Sequence, residues 1–189
     1  MSVAQNKCHL EMMGEIVNVR SYLDQPLPPT LEEELFCAFS LGPSLANTQP
    51  WELLVMEGVD QKRKLVDSTL DPFLAKGSYG AQRWVATAPT VVIVLIEKRR
   101  ALARLGEKGI LFAIQDTFSA IQNFRITAAA HNVSTSCVRE FDPVRIQSLF
   151  GLPWYIEPVA ILTAGYSEEE KEIPPRLPIS EMVHRGRWE

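Results

Sequence analysis

Hydrophobic and polar positions divide the chain into alternating helical and extended stretches. Residues 9–19 place Leu10, Met13, Ile16 and Val17 on roughly one face, which predicts a helix stopping near 20–24, ahead of Pro26, Pro28 and Pro29. Thr30 then reads as an N-cap with Glu33 in the capping-box position, and Leu31, Leu35, Ala38 and Phe39 give the next helix its apolar face. Residues 51–56 read as a strand, 61–70 as a polar-faced helix, and 71–85 as irregular, with Gly77 and Gly80, the second half being open to a helical reading. The clearest strand is 90–96, β-branched and apolar on both faces, so it belongs at the centre of a sheet covered on both sides. The longest helix spans 109–132; Ile114, Phe118, Ile121, Arg125 and Ala128 share a stripe, while Phe112, Phe124 and Ile126 lie elsewhere around it, as in a helix buried in a core or subunit interface. A short strand at 133–138, a short helix over Pro143–Phe150 and a buried strand at 158–164 complete the pattern. Helices alternating with such strands predict an α+β or α/β layered domain.

From residue 167 the pattern changes to an acidic, then Pro-rich tail that ends with Trp188 near its terminus. Such an extended tail has little partner surface of its own and is expected to lie across another surface, such as a second subunit. With 189 residues, 46% hydrophobic and 22% charged, the chain reads as one globular domain over 1–189. A net charge of −4 argues against nucleic acid as a main partner. Cys8, Cys37 and Cys137 are odd in number and widely spaced, and they read as reduced thiols. His9, His131 and His184 are scattered, so no metal constellation is visible. Without a signal-like N-terminus or an uncharged apolar run long enough to span a bilayer, a cytoplasmic, non-membrane protein is expected.

The turn Gly42-Pro43-Ser44-Leu45-Ala46-Asn47-Thr48-Gln49-Pro50-Trp51 carries more chemistry than a connection needs. Gly and Pro suffice to stop a helix. Ser, Asn and Gln add hydroxyl and amide groups that rigid flanking elements can present to a ligand. The alternative is a loop in which Ser and Asn bond their own backbone.

The order of these pieces resembles the nitroreductase family of FMN-dependent oxidoreductases. The family's Pro-Ser-x-x-Asn-x-Gln-Pro-Trp turn is complete at 43–51, and Ala86-Thr87-Ala88-Pro89 resembles its entry to the central strand. Gln122-Asn123-Phe124 through Ala130 resembles its interface helix, Glu157-Pro158-Val159-Ala160 its final strand, and Arg176-Leu177-Pro178 with residues 184–188 its C-terminal extension. The resemblance implies a mixed, largely antiparallel sheet flanked by helices, in a homodimer with an extended C-terminal tail over 167–189 and two FMN molecules at the interface.

It also implies the cofactor-binding residues. The family's Arg-Arg-Ser-x-Arg segment falls on Ile16-Val17-Asn18-Val19-Arg20, where only the last Arg is kept. Arg20 would face the flavin N1/O2 edge and tune the ring, and Asn18 would donate an amide where the family has Ser. Ile16 and Val17 cannot hold phosphate through their side chains. Pro43, Ser44 and Asn47 would reach the FMN of the partner subunit, while Gln49 and Trp51 brace the turn. Arg83 lies near a family position beside the flavin. Cys137, Val138 and Arg139 follow the segment that lies against the ring, and Arg176 matches a phosphate-binding Arg. Cys137 itself reads as an apolar packer, because no His–Asp pair is placed to activate it. No protein side chain is expected to be catalytic and no metal is implied; the flavin would carry hydride from NAD(P)H, through N5, to a nitroaromatic, quinone or similar flat acceptor. The alternative is a homologue that keeps the fold, binds FMN weakly or not at all, and acts as a ligand-binding or interaction protein.

Overall fold

The computed structural model describes residues 9–71, 73 and 78–188; Cys8 and Gly77 lie outside the described residues. In chain order the elements are α1 (His9–Gly14), α2 (Pro29–Ser40), β1 (Trp51–Val55), α3 (Gly58–Val66), β2 (Thr90–Glu97), α4 (Lys98–Leu105), α5 (Lys108–Ala130), β3 (Ser134–Val138), α6 (Pro143–Phe150), β4 (Ile156–Gly165) and α7 (Ile179–Met182), with short 3-10 turns at Leu45–Asn47 and Arg83–Thr87. The architecture is α+β: a four-stranded sheet in the order β1-β2-β4-β3 with helices on both faces. Among the described residues all three strand pairings are antiparallel, and the parallel component is a single bridge between Asn18 and Thr135. No helix among the described residues is long and apolar enough to cross a membrane.

Every residue of β2 is buried, as its two-faced apolar sequence requires. Alternate residues feed different layers: Val92 and Val94 pack beneath α2 and α5, while Val91, Ile93 and Leu95 pack with Leu65, Val85 and Ile146 on the opposite face. Pro158 sits in a central strand, where its missing N–H would break a ladder. The register shift at Val94/Leu95, which pairs Leu95 with Pro158 and Val94 with Ala160, accommodates it as a bulge.

Helix α5 runs 23 residues across the same face of the sheet as α2 and buries Ala113, Thr117, Ala120, Ile121, Phe124 and Ala128. That stripe is rotated from the expected one: Ile114, Phe118 and Arg125 sit at its partly exposed flank. The small side chains allow a close approach; a Cβ on Gly42 would lie 2.6 Å from the Cβ of Ala120.

Two helix ends differ from expectation. Helix α2 begins at Pro29 with Pro28 as its cap rather than Thr30, since a proline fixes φ for the first helical position and lacks only an N–H the helix does not use. Helix α1 stops at Gly14 rather than near residues 20–24, because the segment after it is drawn into extended contact with β3.

Candidate active site

The extended segment after α1 explains how two predicted residues reach the same groove. Val19 is buried and clamped by one hydroxyl: Ser136 Oγ accepts from its N–H at 2.8 Å and donates to its carbonyl at 2.6 Å. The Tyr22 hydroxyl, 2.7 Å from Thr163 Oγ1 and 3.3 Å from Ser136 Oγ, anchors the next turn, and burial pushes its pKa up. With Val19 turned inward, the two-residue period of extended backbone puts Asn18 and Arg20 outward, and both are exposed. Asn18 Oδ1 accepts from Arg125 Nη2 at 3.0 Å and from the Cys137 N–H at 3.2 Å. Both bonds use the amide oxygen, so the Asn18 NH2 donors remain for a ligand. The Arg20 guanidinium makes no hydrogen bond or ion pair among the described residues.

Asn18 and Arg20 meet the end of β3. Together with Cys137, Val138, Arg139, Gln82 and Trp84 they line a cavity of about 160 Å³. Arg20, Gln82 and Trp84 continue into a second cavity of about 300 Å³ bounded by Asp71, Phe73 and Ala81. Asn18, Cys137 and Arg139 continue the other way, to a third of about 210 Å³ under α5. Shared walls make these one groove along the β3 edge. Burial raises the Cys137 thiol pKa against the opposing pull of Arg125 and Arg139, so the thiol stays protonated, as a packing residue should. Val138 is buried in the core, so its contribution to the groove comes from backbone.

Gln82, Trp84 and Arg125 were not singled out from sequence as site residues. Gln82 ties the wall together, donating to the carbonyls of Leu70 at 2.9 Å and Glu140 at 3.4 Å. Its position between Gly80 and the central strand was a signal, but the expectation settled on its neighbour. Arg83 is exposed and does not line the groove, since the 3-10 turn puts Gln82 and Trp84 there instead.

Glu169 was also missed. Its Oε2 accepts from the N–H groups of Arg20 at 2.6 Å and Ser21 at 2.7 Å, while Ser167 Oγ donates to the Ser21 carbonyl at 2.7 Å. This clasp ties the start of the tail to the groove and walls a cavity of about 520 Å³ between residues 18–20 and 169–172. Beyond it the tail is exposed almost throughout, including Arg176 and the apolar Ile173, Leu177, Ile179, Met182 and Trp188.

Pro43, Ser44 and Asn47 lie elsewhere in the chain's own structure. Their turn leads into β1, three strand spacings from β3, or about 14 Å at the usual 4.8 Å per step. The sheet row containing Cys137 meets β1 at Val55, the far end from Trp51. The turn is internally braced: Ser44 Oγ accepts from the Gln49 N–H at 3.0 Å, and Gln49 Nε2 donates to Asn47 Oδ1 at 3.2 Å. Neighbours pin it as well. Asp116 accepts from the Leu45 N–H at 2.8 Å, Arg100 donates to the Gln49 carbonyl at 2.9 Å, and buried Trp51 meets Phe39 edge-on at 6.0 Å. Ala46, Asn47 and Gln49 all have positive φ, at 54°, 53° and 41°. Non-glycine residues avoid that region, and such strain persists where the surroundings over-determine the backbone, often beside a ligand.

The fold, the β3-edge groove and the strained turn can be set beside known proteins. The model of the nitroreductase family matches residues 18–166. An NADH dehydrogenase from Thermus thermophilus is 26% identical over 194 residues, covering 88% of this chain and 90% of that protein. An FMN reductase [NAD(P)H] from Bacillus subtilis is 23% identical over 187 residues, covering 90% and 70%. A nitroreductase family protein from Clostridium difficile 630 superposes with a TM-score of 0.77 at 23% identity, covering 95% of this chain and 98% of that one. A family match over most of the chain, reinforced by the same fold in solved structures, places this chain in the nitroreductase family.

Proposed function

We propose that this chain is an FMN-dependent oxidoreductase that passes hydride from NADH or NADPH to a nitroaromatic, quinone or similar flat acceptor. Family membership and the nicotinamide-dependent activities named for its relatives support oxidoreduction in general. The observation that carries the reading to FMN is the groove itself. It joins an unpartnered guanidinium on Arg20, another exposed one on Arg139, the free amide donors of Asn18 and the indole wall of Trp84. That donor set suits a flat, hydrogen-bonding ring with an electron-rich edge.

Bound FMN would supply the redox chemistry, accepting hydride from the nicotinamide and returning it to the acceptor. This chain's residues bind and tune. Arg20 would place a fixed positive charge beside the bound ring and stabilise negative charge that builds on reduction. Asn18, itself held by Arg125 and the Cys137 N–H, would present its amide donors, and the backbone of 137–139 would help hold the ring. Arg83 and Arg176 are exposed and stand outside the groove in one chain.

The site is completed by a second copy. Pro43, Ser44 and Asn47 sit at the edge away from the groove in their own chain, on a turn strained for presentation. The tail from 167 onward exposes apolar side chains that nothing in one chain covers. A homodimer in which each turn and tail serve the partner accounts for both. The described cysteines, Cys37 and Cys137, are free and suit a reducing compartment such as the cytoplasm. Purified protein given excess FMN should retain flavin absorbance as a dimer and oxidise NADH or NADPH with a quinone or nitroarene. Absence of both flavin retention and turnover would overturn the proposal.

One observation favours a second reading, a family member that binds FMN weakly. Ile16 and Val17 offer no cation, and a carboxylate, Glu169, already holds the N–H pair of Arg20 and Ser21. Tight FMN binding by the unmodified chain removes this reading.

A further inference from the structure

The third part of the groove, under α5, contains a charge that the fold does not explain. Arg125 lies on the flank of α5, half-buried, and burial pulls its pKa down without discharging it. Its contacts are neutral oxygens: Nη2 donates to Asn18 Oδ1 at 3.0 Å and Nε to Thr135 Oγ1 at 3.2 Å. Among the described residues no carboxylate pairs with it. A half-buried guanidinium normally has an anion beside it, because neutral acceptors satisfy its N–H groups but do not offset the lost hydration of its charge. A neutral amide donor would serve Asn18 and Thr135 as well.

The cavity it lines has the matching character. This cavity of about 210 Å³ is walled by Asn18, Phe118, Ile121, Gln122, Arg125, Cys137 and Arg139, with two cations and no acidic residue. The larger cavity beside the tail is lined by three carboxylates, Glu169, Glu170 and Glu172, against two cations, Arg20 and Lys171. An anionic group entering the groove is therefore favoured on the α5 side, where two cations face no carboxylate, over the tail side, where carboxylates outnumber cations. Asn18 belongs to both compartments, so a ligand held by Asn18 and Arg20 can extend under α5 without leaving the groove.

We propose that Arg125, with Arg139 at the rim, forms the subsite for the phosphate monoester of the flavin nucleotide, supplying from α5 and β3 the cationic contacts that Ile16 and Val17 cannot make. This inference rests on the FMN reading above and assigns how that ligand is anchored.

Flavin fluorescence titration separates the two claims, because riboflavin carries the ring and ribityl chain without the phosphate. The unmodified dimer should bind FMN more tightly than riboflavin. Arg125→Gln should weaken FMN by about tenfold or more, the worth of a charge-assisted contact, and leave riboflavin nearly unchanged. Arg125→Lys should restore part of the FMN preference. Inorganic phosphate should compete with FMN but not with riboflavin on the unmodified protein, a measurement that stands even if Arg125→Gln does not fold. Equal loss of FMN and riboflavin affinity in Arg125→Gln would make Arg125 a brace for Asn18 and overturn the subsite. So would equal affinity of the unmodified protein for both flavins, or indifference of FMN binding to phosphate. If neither flavin binds, the FMN reading fails and the subsite with it.

Discussion

Replacing Gly42 with Ala tests how the Gly42–Trp51 turn is held. Gly42 does not need left-handed backbone, so alanine meets no φ penalty there, and the cost is one of contact alone. The new methyl would sit 2.6 Å from Ala120 Cβ, 2.8 Å from Ala120 Cα and 3.2 Å from its N. Carbon pairs rest at about 3.5–4.0 Å, so turn and helix must separate by roughly 1 Å. Two of those atoms belong to the α5 backbone and cannot rotate away. Overpacking of this kind costs about 1–3 kcal/mol. At about 2–4 °C per kcal/mol for a chain of this size, Tm should fall by about 2–12 °C. The assay is thermal or urea unfolding of Gly42→Ala, Ala120→Gly and the double variant. In the Ala120→Gly background the Cβ contact is gone while the 2.8 Å backbone contact remains, so Gly42→Ala should cost less there but not become neutral. Gly14→Ala, with nothing within 4 Å of the new methyl, is the control. An unchanged Tm in Gly42→Ala, or an equal cost in both backgrounds, would refute the claim that α5 sets the turn's position.

Other consequences are open to direct measurement. Arg20→Gln should lower FMN affinity by about tenfold or more and make the bound flavin's reduction potential more negative; an unchanged potential would remove Arg20 from the ring edge. Asp142 caps α6, and its carboxyl is held below the usual range by the Arg145 N–H first and the Tyr79 hydroxyl second. Its stabilisation is therefore full above the ordinary carboxylate pKa of about 4 and is lost as pH falls through its lower folded-state value. Asp142→Ala should cost about 1 kcal/mol at neutral pH, and the gap to the unmodified protein should close in strong acid, as read by urea unfolding across pH. Ile161, fully buried in a central strand, should cost about 2–5 kcal/mol as Ile161→Ala, measured the same way.

Strand β2 and helix α6 were legible in the chain because their signals are local. Eight consecutive buried positions and a Pro at the start of α6 leave little choice. Helix α4 was not anticipated. It follows β2 without a break, its cap is Glu97 rather than a Ser, Thr or Asp, and its basic residues pair outward with Glu52, Glu97 and Glu157. Residues 15–19 continue the helical spacing of α1, yet Val19 is fixed by Ser136, 117 positions away, and no local pattern records that bond. The same distance in sequence separates what the site joins. Asn18, Arg20 and Cys137–Arg139 could be paired only through the family resemblance. Arg125 was visible as part of an apolar stripe, but its meaning depends on Asn18 and Thr135 converging on it and on the absence of a described carboxylate partner. Glu169 lay in a tail that composition marked only as acidic.

The most direct test of the flavin claim is an anaerobic titration of the FMN-loaded protein with NADH and with NADPH, following the oxidised flavin band. The account predicts stoichiometric bleaching by at least one of the two, and recovery of the band when a quinone or nitroarene is added. A bound flavin that stays oxidised with both nicotinamides would contradict it.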